Sequence, residues 1–300
     1  MTPTAARAGV VDNTTPALAR SWHAVARSDE LGHEPLPVRL LDRNWTVERR
    51  GHRIIAGPDV PWALEERYGL IWLAPRESSA PLHDFPEWDD PTFDRAYAAT
   101  VRTPVSAAQL VDNFLDAAHF PFVHAGTFGV GESAMVQDRG VVREGWRVST
   151  TFDTWYRNSD DPLVATGEHP EIQPQQLVKI GSASFGVLLR LGFPVTGATF
   201  AILFCCQPET RRCTRVYKLL ARNDLGGDST RMRDCIRHED RILREDLAIL
   251  ERYERMELHT NLRVEVHTRA DRLSVAYRRL LGELLAVENG QRPGREGSTA

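Results

Sequence analysis

The stretch Val111 to Gly129, VDNFLDAAHFPFVHAGTFG, sets Asn113, Asp116, His119 and His124 in the order N-x-x-D-x-x-H-x-x-x-x-H. Ser106 is a suitable N-cap, so a helix is predicted from about Ser106 to Phe120, closed near Pro121, whose ring cannot donate to the preceding turn. On an unbroken helix residues five apart diverge by about 140° at roughly 100° per residue, and the two histidines could not face one ion. Pro121 is expected to end the helix between them and let His124 swing back towards the face that carries His119. Two neutral imidazoles and one carboxylate on one side of an iron, zinc or copper ion leave open positions for oxygen and substrate. The other use of each histidine is as a hydrogen-bonded core or surface residue, and the company of Asp116 and Asn113 favours the metal.

The missing carboxylate should be an acid on an otherwise buried helix face, because an unpaired buried acid is costly. His238 to Met256, HEDRILREDLAILERYERM, supplies one. With Leu243 at zero on a wheel of about 100° per residue, Ile236, Leu247 and Leu250 fall within about 40° and Asp246 near −60°, inside the apolar arc. Arg237, Arg241, Arg244 and Glu245 point the other way, as a solvated face should. Glu239 shares the stripe two turns earlier and competes for the third place, with Asp240 at its margin. A salt bridge to a nearby arginine is the other use for Asp246.

Working outward, SWHAVARSDEL, PVRLLDRNWTVERR, HRIIAG and YGLIWLAP read as strands on the N-terminal side, and GWRVSTTFDTWY, QLVKIGSASFGVLLRLGF, GATFAILFCCQPE and TRVYKLLARND read as hairpin strands on the C-terminal side. Helices are expected over about 228–257 and 272–287. Strands followed by long helices predict an α+β fold, an antiparallel sheet gripping a helix. The predicted organisation is a flexible N-terminus (1–17), a small β domain (18–76), a Pro- and Asp-rich linker (77–95), a catalytic domain (96–289) and a flexible tail (290–300).

With 300 residues the chain can bury a substantial core, and 42% hydrophobic with 26% charged residues is the balance of a globular protein rather than a disordered one. A net charge of −4 offers no field for nucleic acid or an anionic membrane. The first twenty residues lack a secretory apolar core and no run is long enough to span a bilayer, so a cytoplasmic location is expected. Cys205, Cys206, Cys213 and Cys235 form no C-x-x-C or C-x-H pair, which signals neither a disulfide framework nor a cysteine metal site.

NFLDAAHFPFVHAGTFG resembles the iron-binding helix and loop of the oxygenase α subunits of Rieske non-haem iron enzymes, of the ring-hydroxylating and demethylase type, and EDLAILERYE resembles the helix that supplies their aspartate ligand. WHAVARSDEL, PVRLLDRNWTVERR and ERYGLIWLAP are similar to the opening and exit of their Rieske domain, and the likeness spans most of residues 18–255. The resemblance implies a helix-grip catalytic domain in which His119, His124 and Asp246 hold one mononuclear Fe(II). It implies that Asp116 links this iron to a neighbouring subunit's cluster, with Asn113 a polar residue nearby.

A Rieske [2Fe-2S] centre needs two cysteines and two histidines. Between Arg50 and Tyr68 the chain reads GHRIIAGPDVPWALEER, with His52 and no cysteine, so the β domain is expected to be a truncated Rieske-like remnant without a cluster. The function implied is O2-dependent hydroxylation or oxidative demethylation, with electrons from a separate cluster-bearing oxygenase subunit, a reductase or both, in a trimer or mixed hexamer. Phe114, Phe120 and Phe122 near the metal imply a small, mainly apolar or aromatic substrate. Two other readings stay open: a non-catalytic scaffold for a complete oxygenase, and a hydrolase or isomerase that uses its ion as a Lewis acid.

Overall fold

The computed structural model describes residues 9–131, 140–183 and 185–290. Its N-terminal part holds β1 (His23–Arg27), β2 (Leu36–Leu40), β3 (Arg43–Arg50), β4 (Arg53–Gly57), β5 (Ala63–Arg67) and β6 (Leu70–Ala74). They form two three-stranded antiparallel sheets, in orders β1-β6-β5 and β2-β3-β4. β7 (Asp94–Tyr97), β8 (Val101–Thr103), β9 (Val142–Glu144), β10 (Arg147–Arg157), β11 (Ile172–Ser182), β12 (Gly186–Phe193), β13 (Ala198–Thr210) and β14 (Cys213–Arg222) build one antiparallel sheet in the order β9-β10-β11-β12-β13-β14-β7, with β8 also on β14. The fold is α+β around this sheet, as expected.

Alternation along the central strands decides what lies on each side, since successive side chains of a strand point to opposite faces. From β13, Phe200, Ile202, Phe204 and Cys206 join the cluster shared with the helices, while Ala201, Leu203 and Cys205 join Trp22, Leu70 and Trp72 of the N-terminal part. β14 divides in the same way, Val216 and Leu220 against Tyr217, Leu219 and Ala221. A strand buried on both faces reads as a continuous apolar run, which is why GATFAILFCC lacks a polar alternation.

The front of the sheet is covered by α1 (Ala107–Leu115), α3 (Ser229–Leu250) and α4 (Arg272–Glu288), with a one-turn helix, α2 (Phe120–Val123), between the first two. Ser106 caps α1 by accepting from Gln109 N, and Asp228 caps α3 by accepting from Thr230 N and Arg231 N. Gly181 on β11 lets α1 approach closely: a Cβ there would stand 2.8 Å from Leu115 Cδ1. The buried face of α3 is Cys235, Glu239, Leu243, Asp246, Leu247 and Leu250, one stripe at helical spacing that carries two acids.

Several boundaries differ from expectation. α1 ends at Leu115 rather than near Pro121, because Asp116 leaves the helix in an extended conformation. α3 ends at Leu250 rather than about 257, where Arg255 O accepts from Gln109 Nε2 and Leu258–His259 pairs with Val10–Val11. That pairing, with Val11 and Ala17 each 1% exposed, fixes residues expected to be loose; residues 1–8 and 291–300 lie outside the described part. The stretch read as a linker is packed, with Leu82, His83 and Phe85 buried and Phe85 N donating to the Tyr68 hydroxyl. No helix among the described residues is long and apolar enough to cross a membrane.

Candidate metal centre

Asp116 starts the site. Its Oδ1 accepts from Ala118 N at 2.8 Å and its Oδ2 from His119 N at 3.2 Å, a side-chain-closed turn that reverses the chain after α1. The same Oδ2 accepts from His119 Nδ1 at 2.9 Å. The break that the sequence reading gave to Pro121 is therefore made by Asp116. Pro121 lies in the first turn of α2, where a missing N–H costs nothing, and His119 and His124 flank that single turn.

After α2 the carbonyl of His124 accepts from Thr127 N at 2.9 Å and Gly129 N at 2.8 Å, folding the loop back on itself. This loop lies along the flank of α3, held by Arg241 Nη2 donating to Gly126 O at 2.9 Å. Glu245, assigned to the solvated face, is thereby covered: its Oε2 accepts from His124 Nδ1 at 2.9 Å and from Thr127 Oγ1 at 2.8 Å. The wheel misplaced it because it allows one buried side, whereas the loop covers a second.

With both Nδ1 atoms donating to carboxylates, each imidazole in its neutral form turns the Nε2 lone pair inward. Asp246 Oδ1 stands 3.2 Å from His124 Nε2 and 3.4 Å from His119 Nε2, and it makes no hydrogen bond. These three residues offer ligand atoms all within 4.8 Å of one another, the one such group of His, Cys, Asp or Glu among the described residues. Separations of 3.2 and 3.4 Å are those of neighbouring ligand atoms roughly 2.1 Å from a shared cation. Three converging lone pairs with no proton between them repel, so the donor set fits a mononuclear cation site.

The charges agree. Burial opposes ionisation of Asp246, yet the imidazoles of His119 and His124, when protons stand in for the cation, hold its carboxyl well below the usual range. Burial also opposes ionisation of Asp116, but the hydrogen bond and charge of His119, the Ala118 N–H and Lys179 outweigh it and hold this carboxyl at about 2. Desolvation disfavours imidazolium at His119, and Asp116 and Asp246 more than offset it, raising its pKa. Glu239, the rival third acid, is placed apart: it pairs with the buried Lys218, whose Nζ lies 3.4 Å from Glu239 Oε2 and also donates to Glu239 O. Lys179, unremarked in the sequence, is buried beneath Phe120 with Nζ 4.4 Å from the ring centroid, and it donates to Phe114 O and Asp116 O. Desolvation lowers its pKa to about 7.

A cavity of about 60 Å³ opens beside the triad. Phe114 and Phe120 border it as expected, with Leu189 and Leu191 of β12 and Ile202 and Phe204 of β13. Phe122 does not. It is 75% exposed, because α2 is a single turn that directs Phe120 inward and the residue two later outward. Asn113, Phe128, Tyr156 and Gln175 also border it, and the last three carried no signal in the sequence. His52 is exposed, while the four cysteines stand on β13, β14 and α3, none of them on a strand of the N-terminal sheets.

Residues 103–287 match the family described as the vanillate O-demethylase oxygenase C-terminal domain. The chain is 26% identical over 269 residues to the vanillate O-demethylase oxygenase subunit of Pseudomonas sp. (strain HR199 / DSM 7063), covering 81% of this chain and 74% of that protein. It is 24% identical over 221 residues to a probable methylxanthine N7-demethylase, NdmC, of Pseudomonas sp. (strain TJI-51), covering 74% of this chain and 77% of that one. The solved structure of a Pseudomonas putida CBB5 NdmA mutant with caffeine superposes with a TM-score of 0.76 at 20% identity, over 93% of this chain and 94% of that one. Dicamba monooxygenase bound to 3,6-dichlorosalicylic acid gives 0.70 at 16% identity, over 91% and 99%.

Proposed function

This chain belongs to the vanillate O-demethylase oxygenase C-terminal domain family, and on that premise we propose that it is a non-haem iron oxygenase component whose electrons come from another protein. His119 Nε2, His124 Nε2 and Asp246 Oδ1 would hold one Fe(II). The observation that carries the proposal is the convergence of these atoms while Asp116 and Glu245 hold both Nδ1 protons outward. Iron held there would supply the one-electron chemistry that the reduction of O2 beside a substrate needs. Insertion of one oxygen atom into a C–H bond, with the other leaving as water, consumes two electrons and two protons, and a hydroxylated N- or O-methyl group departs as formaldehyde. Relatives named for methylxanthine and vanillate demethylation support a small methylated aromatic as substrate.

The protein's own residues orient and insulate. Asp116 and Glu245 fix the imidazole tautomers, and Phe114, Phe120 and Phe204 keep bulk water from the cavity. Asp116, with a quarter of its side chain exposed and His119 on its inner side, is the contact through which a cluster-bearing subunit or a reductase delivers electrons. Residues 18–76 are read as a Rieske-like remnant without a [2Fe-2S] centre, 77–95 as its connection and 96–289 as the catalytic part, in a cytoplasmic trimer or mixed hexamer. Reconstituted protein is expected to hold about one iron per chain, with no acid-labile sulfide and no Rieske absorption. Demethylation should require O2 and a cluster-bearing partner and vanish in His119→Ala. Turnover by the zinc form under strict anaerobiosis, or an assembly fully active with His119→Ala, overturns the proposal.

A further inference from the structure

We infer that the cavity beside the triad takes a neutral, planar ring bearing a hydrogen-bond acceptor such as a ring carbonyl, read by the side-chain amides of Gln175 and Asn113. The inference rests on the function proposed above and adds the chemistry of its substrate. Gln175 stands in the middle of β11, 3% exposed, and its Nε2 has no partner among the described residues. Asn113 Nδ2, on the last turn of α1, is buried and unpartnered in the same way. Both residues border the cavity. An amide N–H buried without an acceptor loses its hydrogen bonds to water for nothing, so two such groups on residues that border one space are explained by an acceptor that arrives with the occupant.

The remaining walls set shape and charge. Phe114 and Phe204 stack with centroids 4.2 Å apart, and Leu189, Leu191 and Ile202 continue the apolar lining, which suits a flat ring. The acids bordering the cavity are Asp246, aimed at the metal position, and Glu239, paired with Lys218. Lys179 is turned to the carbonyls of Phe114 and Asp116. Among the described residues no arginine or lysine lines the space, so away from the metal position the side chains offer a carboxylate-bearing ring no counter-charge. The volume of about 60 Å³ is below the roughly 150 Å³ that admits benzene in an engineered cavity, so a small ring enters by shifting the aromatic side chains.

The test titrates the Fe(II)-loaded chain under argon, by ligand-observed NMR, with three methylated single-ring probes: N-methyl-2-pyridone, toluene and 4-methylbenzoate. The pyridone is expected to bind about tenfold or more tightly than either of the others. In Gln175→Leu its preference over toluene should shrink to about threefold or less while toluene binding holds or improves, and Asn113→Ala should lower it in the same sense. Gln175→Asn, which keeps an amide, should retain part of it. Equal binding of pyridone and toluene to the unaltered chain, tighter binding of 4-methylbenzoate, or a parallel loss of both neutral probes in Gln175→Leu overturns the inference. Failure of the pyridone to bind a chain that carries its iron overturns this inference alone, whereas failure to hold iron overturns the function on which it rests.

Discussion

Replacing Glu245 by alanine tests whether the covered flank of α3 tunes the metal position. The substitution removes the acceptor of His124 Nδ1 at 2.9 Å and of Thr127 Oγ1 at 2.8 Å, and it frees Arg241, whose Nε donates to Glu245 Oε1 at 3.2 Å. A hydrogen bond to a charged group contributes about 1.5–3 kcal/mol. Loss of a carboxylate behind a metal-bound histidine costs about 10- to 100-fold in metal affinity, or about 1.4–2.8 kcal/mol at about 1.4 kcal/mol per decade. The Glu245 side chain is 22% exposed, so water replaces part of what it provides and the lower half of that range, about 10- to 30-fold, is expected. Fe(II) affinity measured against a competing chelator reads the effect, with circular dichroism as the control for folding. Glu245→Gln keeps a neutral acceptor and should lose less. An alanine variant within about twofold of the unaltered protein, or a glutamine variant as weak as the alanine one, would refute the assignment of Glu245 to His124.

Gly129→Ala would put a Cβ 2.3 Å from Phe120 O and 2.9 Å from His124 C, backbone atoms of the turn that carries His124. A loss of about 1–3 kcal/mol in stability is expected together with reduced iron occupancy, while Gly131→Ala, with nothing within 4 Å of its Cβ, should change neither in the same melting and metal-content measurements. Because the pKa of His119 is raised above 6.5, protons compete with the metal across neutral pH. Fe(II) affinity should rise about tenfold per pH unit up to that pKa and then level, and an affinity unchanged between about pH 5.5 and 7.5 would contradict this. Asp116→Asn keeps an acceptor for His119 Nδ1 but not the charge; iron content should stay near normal while partner-dependent turnover falls about tenfold or more, and equal turnover would remove Asp116 from the electron path.

Much of the site was legible because its residues obey local rules. Two histidines around a proline and an acid on an apolar stripe are anomalies that a one-dimensional pattern exposes, and His119, His124 and Asp246 do converge. Contacts between distant segments were not legible. Glu245 looked solvated until the loop after His124 was laid over it, and Gln175 and Lys179 sit in a strand whose alternation gives no hint of what faces them. The strands buried on both faces were readable as apolar runs, but which face met which layer became clear only from the cluster partners of Leu203 and Phe204. The helix break was foreseen and given to the wrong residue, since the turn closed by Asp116 precedes the proline.

The packing of Trp22, Leu70 and Trp72 against Leu203 and Leu219 sets limits on how the chain can be shortened. Cutting away the first seventy or so residues would bare a broad greasy surface on the back of the large sheet, an invitation to aggregate. The exposed turn at residues 58–60, between β4 and the Trp62 ring that packs on Trp22, lies outside that surface, and there length can be gained or lost without loosening the seal. Tolerance to trimming in this architecture is therefore a matter of which edge is wet.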